Sequence, residues 1–132
     1  MEAVVIRKYT PEDEDQLFAL IEREGIEWTY WQGENRAKYI KALADCVNYV
    51  VFEDEALCGY VRCRDDAGFG IYVFDLLVDK SYRRKEYGRL LIERVRQDFP
   101  NEYIYVTTDI DPYFEKLGYD KIGSIFILQK GE

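Results

Sequence analysis

The stretch Leu76-Leu-Val-Asp-Lys-Ser-Tyr-Arg-Arg-Lys-Glu-Tyr-Gly-Arg-Leu-Leu91 decides how this chain is read. An aliphatic strand end runs into a cluster of cations, then a glycine, then a helix with one apolar face. A helix N-terminus presents unpaired backbone N–H groups and a partial positive charge, which suits a phosphate. Arg83, Arg84 and Lys85 crowd cations onto that turn, and Arg89 follows one helical turn later.

Working outward, Phe69–Val78 reads as a long strand entered from the turn Asp65-Asp66-Ala67-Gly68. Asn48–Glu53 and Ala56–Arg64 are strand-like and separated only by Asp54-Glu55, a hairpin signal. Downstream, Tyr87, Leu91 and Val95 share a helical face that ends near Phe99-Pro100. Tyr103–Thr107 reads as a strand, and Pro112 to Leu117 as a short helix closed by Gly118. Tyr119–Gln129 is expected to complete the sheet. At the start, Ala3–Tyr9 is a strand, and Thr10-Pro11-Glu12-Asp13 carries a capping hydroxyl, an N1 proline and first-turn acids. Leu17, Leu20, Ile21 and Glu24 continue that helix until Gly25 stops it. A second helix over Arg36 to Asp45 is expected to bury Ile40, Leu43 and Ala44. The order β-α-α-β-β-β-α-β-α-β predicts an α/β fold, one mixed sheet with helices on both faces.

At 132 residues the chain reads as one domain spanning 1–132. A hydrophobic share of 48% with 33% charged residues suits a folded protein and argues against disorder. The formal charge of −8 disfavours nucleic acid and membrane surfaces and favours cationic substrates, so the cations near Arg83 are a local exception. Cys46, Cys58 and Cys63 form no CxxC pair, which disfavours a disulfide framework or zinc site and suits a reducing cytoplasm. No apolar run approaches the ~18 residues of a membrane span, and Met1-Glu-Ala opens no signal peptide. The chain has no histidine, which removes Ser-His-Asp and Cys-His nucleophile systems and every His-ligated metal.

The turn Arg83-Arg84-Lys85-Glu86-Tyr87-Gly88 resembles the acyl-CoA pyrophosphate loop of the GNAT superfamily of N-acyltransferases, whose pattern is Gln/Arg-x-x-Gly-x-Gly/Ala. Glu86 stands where the first glycine usually is. Its carboxylate suits the first turn of a helix, which it could cap. Pro112-Tyr113-Phe114-Glu115-Lys116-Leu117-Gly118-Tyr119 resembles the family's acyl-CoA-contacting helix and turn, Phe-Tyr-Glu-Lys-Leu-Gly-Phe. The element order matches the family over essentially the whole chain. The resemblance implies a GNAT fold and acetyl-CoA as acyl donor, with no metal. It also places the pantetheine arm along Leu76, Leu77 and Val78. Arg83, Arg84, Lys85, Glu86, Tyr87, Gly88 and Arg89 fall at the pyrophosphate. The family tyrosine that protonates the departing sulfur falls on Phe114, which has no proton to give.

Attack on a thioester needs a neutral amine, so a base or a water chain must take a proton. Asp75, a charge within the apolar strand, and Glu27 are the candidate bases acting through water. Asp75 is expected to face away from Phe74 and Leu76, and either to accept from a substrate ammonium or to pair with Arg62 or Arg64. Tyr113 joins the catalytic candidates as the hydroxyl next to Phe114, although neighbouring helical residues face about 100° apart. Glu24, Glu27, Trp28, Tyr30 and Trp31 fall where the family walls its acceptor site, and aromatics with carboxylates can hold a cationic amine. Each motif also has a plainer reading: a solvated basic turn, a glycine-capped helix, a core strand, a packed lid. Two functions follow from the resemblance. One is transfer of an acetyl group from acetyl-CoA to a primary amine of a small molecule or protein, by a monomer or a homodimer. The other is a non-catalytic GNAT-like regulatory or protein-binding module with weakened CoA binding, to which Glu86 and Phe114 both point.

Overall fold

The computed structural model describes residues 3–131. Five strands form one sheet in the order β1-β2-β3-β4-β5: β1 (Val4–Lys8), β2 (Val47–Glu53), β3 (Ala56–Asp65), β4 (Ile71–Val78) and β5 (Ile104–Val106). The first three pairings are antiparallel and β4–β5 is parallel. The parallel step requires a crossover, and α3 (Tyr87–Asp98) supplies it.

Alternation along the strands builds two cores. On one face, Val50, Phe52, Leu57, Tyr60 and Leu77 pack against α1 (Glu14–Glu24) and α2 (Asn35–Ala44). On the other, Tyr49, Val51, Val61, Ile71 and Val73 receive Tyr87, Leu91, Ile92 and Val95 of α3. β2 is covered on both faces, so it reads as the nearly unbroken run Val-Asn-Tyr-Val-Val-Phe-Glu. Burying one such aliphatic or aromatic side chain stabilises the fold by about 1.5–3 kcal/mol.

Two details differ from the sequence reading. In α2 the buried residues are Tyr39 and Leu43, one turn apart, whereas Ile40 and Ala44 lie exposed. The helix is rotated because the Tyr39 hydroxyl has polar partners beneath it and Ile40 could use none. Among the described residues, the segment after Gly118 forms no strand. Ile122, Ile125, Phe126, Ile127 and Leu128 are 73–95% exposed there. No helix among the described residues is long and apolar enough to cross a membrane.

Candidate functional site

β4 carries a bulge that organises the site. Its register against β3 runs Arg62↔Asp75 and then Cys63↔Val73, leaving Phe74 as the extra residue. The bulge reverses the strand's alternation. Before it, Ile71 and Val73 face α3; after it, Leu77 faces α1 and α2 while Leu76 and Val78 pack on the α3 side. Backbone direction reverses with it: the N–H of Ile71 donates toward β5, whereas that of Asp79 donates to Cys58 on β3. Leu76 and Val78 therefore aim their N–H groups away from β3. Pairing of β4 with β5 stops at Val73↔Val106, with the N–H of Thr107 donating to the Val73 carbonyl. The two strands part from there, and among the described residues no strand lies on the outer edge of the second half of β4.

The N-terminus of α3 and the short helix α4 (Asp111–Lys116) close in on that edge. A Cβ built on Gly88 would lie 2.7 Å from the Tyr113 hydroxyl and 3.8 Å from Leu76 Cδ2, so these three residues converge. Burial raises the Tyr113 pKa above its ordinary value, which keeps its proton on the oxygen. Phe114 points elsewhere. It stacks on Tyr119 at 5.8 Å and meets Tyr113 edge-on at 4.9 Å.

Glu86 has φ 61° and ψ 23°, the left-handed conformation that a glycine adopts freely and that costs another residue on the order of 1 kcal/mol. A glycine suits this position for its backbone as well as for room. Glu86 does not cap α3: its carboxylate sits 3.2 Å from Arg89, and the first-turn N–H groups of α3 receive no side-chain cap.

The cations of the loop are mostly engaged. Arg83 donates to both carboxylate oxygens of Glu24 and, through Nε, to the Val78 carbonyl at 2.9 Å. Lys85 donates to Glu53 at 2.8 Å, and the same carboxylate accepts from the buried Tyr87 hydroxyl at 2.5 Å. Arg89 is held by Glu93 at 2.6 Å as well as by Glu86. Arg84 alone of the four has no ion pair among the described residues. The Tyr87 side chain points into the core beneath the loop, so only its backbone faces outward. With Arg23–Asp79 at 2.7 Å, the Arg83–Glu24 pair ties the loop to the end of α1.

Asp75 is buried and filled with donors. It accepts from the Tyr30 hydroxyl at 2.9 Å, the Tyr39 hydroxyl at 2.7 Å and Arg62 Nε at 2.5 Å. Tyr39 and Tyr60 also share a hydrogen bond at 2.8 Å. Tyr30 stacks on Tyr39 with centroids 4.0 Å apart, and the Arg62 guanidinium lies 5.2 Å from the Tyr39 ring. Burial and the Asp75 carboxylate push the Tyr30 pKa up to about 12, and burial raises those of Tyr39 and Tyr60 further. The Arg62 pKa is raised by its Asp75 partner despite burial. The guanidinium also lies 5.4 Å from the Phe74 ring, so Phe74 and Asp75 approach the same cation. The expected opposition of Phe74 and Asp75 fails because the bulge places both on one side, while Leu76 does lie opposite. A hollow of about 280 Å³ beside this cluster is lined by Thr29, Tyr30, Asn35, Lys38, Tyr39, Ala42 and Arg62.

Glu27 lies exposed in the α1–α2 connection, with no hydrogen bond to Asp75 or its tyrosines. Trp28 and Trp31 pack on the core beside α1, and Trp31 donates to the Gly25 carbonyl at 3.2 Å. Sequence reasoning missed Tyr39 and Tyr60. Their signal was a tyrosine one turn before Leu43 on the inner face of α2 and another inside the buried run of β3, each with a hydroxyl that burial obliges to find a partner.

The comparisons with known proteins agree with this fold. The family model described as the Acetyltransferase (GNAT) family matches residues 13–119. The GNAT family acetyltransferase SP0256 of Streptococcus pneumoniae TIGR4 is 22% identical, with a TM-score of 0.72 over 97% of this chain and 100% of that one. Aminoglycoside N-acetyltransferase AAC(6')-Iy in complex with CoA is 14% identical, with a TM-score of 0.74 over 98% of this chain and 96% of that one. Aminoglycoside acetyltransferase HMB0005, from an uncultured soil sample, is 18% identical, with a TM-score of 0.74 over 98% and 99%.

Proposed function

Because the chain belongs to the GNAT family of acetyltransferases, we propose that it transfers an acetyl group from acetyl-CoA to a primary amine. The observation that carries this reading is the unpaired edge of β4 beyond Val73, set beside Gly88 and Tyr113. An extended amide-bearing arm can pair with such an edge as a strand would. The N–H groups of Leu76 and Val78 are the donors aimed to polarise a thioester carbonyl. The N-terminus of α3, with Gly88 allowing close approach, and Arg84 would receive the pyrophosphate. Arg83, Lys85 and Arg89 would do so only by loosening their carboxylates, and their first role is to hold the loop.

Asp75 already satisfies three donors, so it acts as a positioning residue for Tyr30 and Tyr39 at the acceptor side. Glu27 is then the carboxylate left to take the amine proton through water. The nitrogen bonds to the carbonyl carbon, the carbon–sulfur bond breaks, and the sulfur takes a proton from the Tyr113 hydroxyl, which solvent replaces. Tyr113, rather than Phe114, is the proton donor because its hydroxyl is the one lying beside Leu76 and Gly88. The overall charge of −8 favours a cationic acceptor, in keeping with the aminoglycoside enzymes among the structural relatives.

One observation favours a second reading, a module that binds CoA weakly without turnover: Glu86 and the paired cations leave little free positive charge at the loop. A melting shift with acetyl-CoA, followed by thiol release over a panel of amines, separates the two. Acetyl-CoA binding with amine-dependent thiol release is expected, and Tyr113→Phe should lower kcat about a hundredfold with KM little changed. A shift without turnover on any amine supports the module. Neither shift nor turnover at millimolar acetyl-CoA overturns both.

A further inference from the structure

The hollow beside the Asp75 cluster has the opposite sign to the molecule that carries it. The chain holds 26 Asp and Glu against 18 Lys and Arg. Yet the residues lining the hollow include the cations Arg62 and Lys38 and no acid. Asp75 beneath it cancels one of the two charges by pairing with Arg62, which leaves a positive charge in excess. The tyrosine walls do not offset it. The Tyr30 pKa is pushed up to about 12 and that of Tyr39 is raised further, so both stay neutral at physiological pH.

The protein does not use up these donors. Arg62 gives Nε to Asp75 and Nη1 to the Cys46 sulfur at 3.6 Å, a weak acceptor. Its Nη2 has no hydrogen bond among the described residues, and it is not sealed in, since the buried unpartnered side-chain atom there is Asn48 Oδ1. Lys38 forms no ion pair and the Thr29 hydroxyl no hydrogen bond among the described residues. A guanidinium edge, an ammonium and a hydroxyl around one hollow make a receptor for a planar anion.

We propose that this hollow takes a carboxylate of the acceptor, so that the amine acetylated belongs to an amino acid or a similarly small amino carboxylic acid. The proposal rests on the acyl-transfer reading and narrows it. Arg62 pairs across the sheet with Asp75, which precedes Leu76, the donor assigned to the thioester carbonyl. The anion and the attacking amine are then held about one residue apart along β4, which suits two groups separated by few bonds. The net charge of −8 draws the ammonium end, and the local cations fix the other. A phosphate would bring about two negative charges to a single one in excess, so the carboxylate fits better.

Thiol release with free amino acids, their carboxamides and a diamine tests this on the intact protein. The best amino acid should exceed its carboxamide in kcat/KM about tenfold or more, as hydrogen bonds to a charged partner require. Amidation lowers the amine pKa and by itself favours attack, so such a preference cannot come from basicity. Lys38 is exposed on α2, and Lys38→Gln should raise KM for the amino acid about threefold and cut its preference over the carboxamide in step. Carboxamides or the diamine turned over as well as any amino acid would overturn the proposal and leave acyl transfer standing. A phosphorylated amino alcohol preferred over every amino acid would overturn the carboxylate. A preference untouched by Lys38→Gln would overturn the assignment to this hollow. If no amine is turned over, melting shifts with N-acetyl amino acids and their carboxamides decide. Carboxylate-specific binding that Lys38→Gln weakens would then support the anion site while acyl transfer fails, and no binding would overturn both.

Discussion

Tyr113 lies over Gly88 so closely that a methyl group at position 88 would sit 2.7 Å from the tyrosine oxygen. This contact joins the helix that carries the loop to the helix that carries the hydroxyl. It leads to a prediction about both residues. Gly88→Ala should displace Tyr113 and weaken acetyl-CoA binding about tenfold, because the added carbon would also crowd the pyrophosphate at the position proposed for it. Removing the hydroxyl with Tyr113→Phe should recover part of the loss in the double variant. A double-mutant cycle measured by calorimetric titration reads the coupling, and strict additivity would show that the contact has no energetic role.

Glu86→Gly should do two things. The left-handed backbone at this position is relieved, with a stability gain of a few tenths to about 1 kcal/mol after the extra freedom of glycine in the unfolded chain is counted. Removing the carboxylate should also tighten acetyl-CoA binding, by a margin that shrinks as salt rises, since screening acts on exposed charges. Thermal unfolding and titrations at two salt concentrations check both parts. A tightening that ignores salt would assign the effect to bulk.

Asp75→Ala should be among the most damaging substitutions. It leaves Arg62 as a half-buried unpaired cation and takes the acceptor from two tyrosine hydroxyls. Breaking a buried pair from one side costs about 3–5 kcal/mol, which lowers Tm by roughly 10 °C or more in a chain of this size. Asp75→Ala combined with Arg62→Met should recover much of the loss in a denaturant series. If Asp75 were instead a free base, stability would barely change and turnover alone would fall.

Stability should decline between about pH 10 and 12. Tyr30 has a folded pKa pushed up to about 12 by burial and the Asp75 carboxylate, and Tyr87 is pushed up to about 12 by burial and Glu53. Below pH 10 both are protonated in either state, so their contribution is fully present. Above it the unfolded chain releases protons that the folded chain keeps, and folding loses up to about 1.4 kcal/mol per pH unit for each group. Tyr30→Phe should flatten that slope in denaturant melts across the range.

Much of the architecture was legible because it follows from local pattern. Tyr87, Leu91 and Val95 at helical spacing produced the face that α3 buries, and Asp54-Glu55 between two strand-like apolar runs produced the β2–β3 hairpin. The β4 segment was legible as a strand but not as a bulged one, since nothing in Val-Phe-Asp-Leu marks Phe74 as the extra residue. That depends on how β3 pairs with it. In α2, Tyr39 and Ile40 are neighbours at nearly equivalent positions of an apolar stripe, and only the polar group waiting beneath decided which was buried.

The sequence by itself determined the family, the order of elements as far as α4 and the basic loop ahead of α3, but not the fate of the stretch after Gly118, because the former rest on periodicity, turn chemistry and a motif within a few residues. Tertiary structure alone decided which side chains are available there. Arg83, Lys85 and Arg89 are cations in the sequence, and only the fold brings Glu24, Glu53, Glu86 and Glu93 against them. The winding of α4 likewise sets the Tyr113 hydroxyl beside Gly88 while Phe114 stacks on Tyr119, which adjacency in the sequence does not show. The physical reason is range. Strand and helix formation is set by neighbours along the chain, whereas a charge or a hydroxyl is committed by partners dozens of residues away, which only folding brings within hydrogen-bond distance.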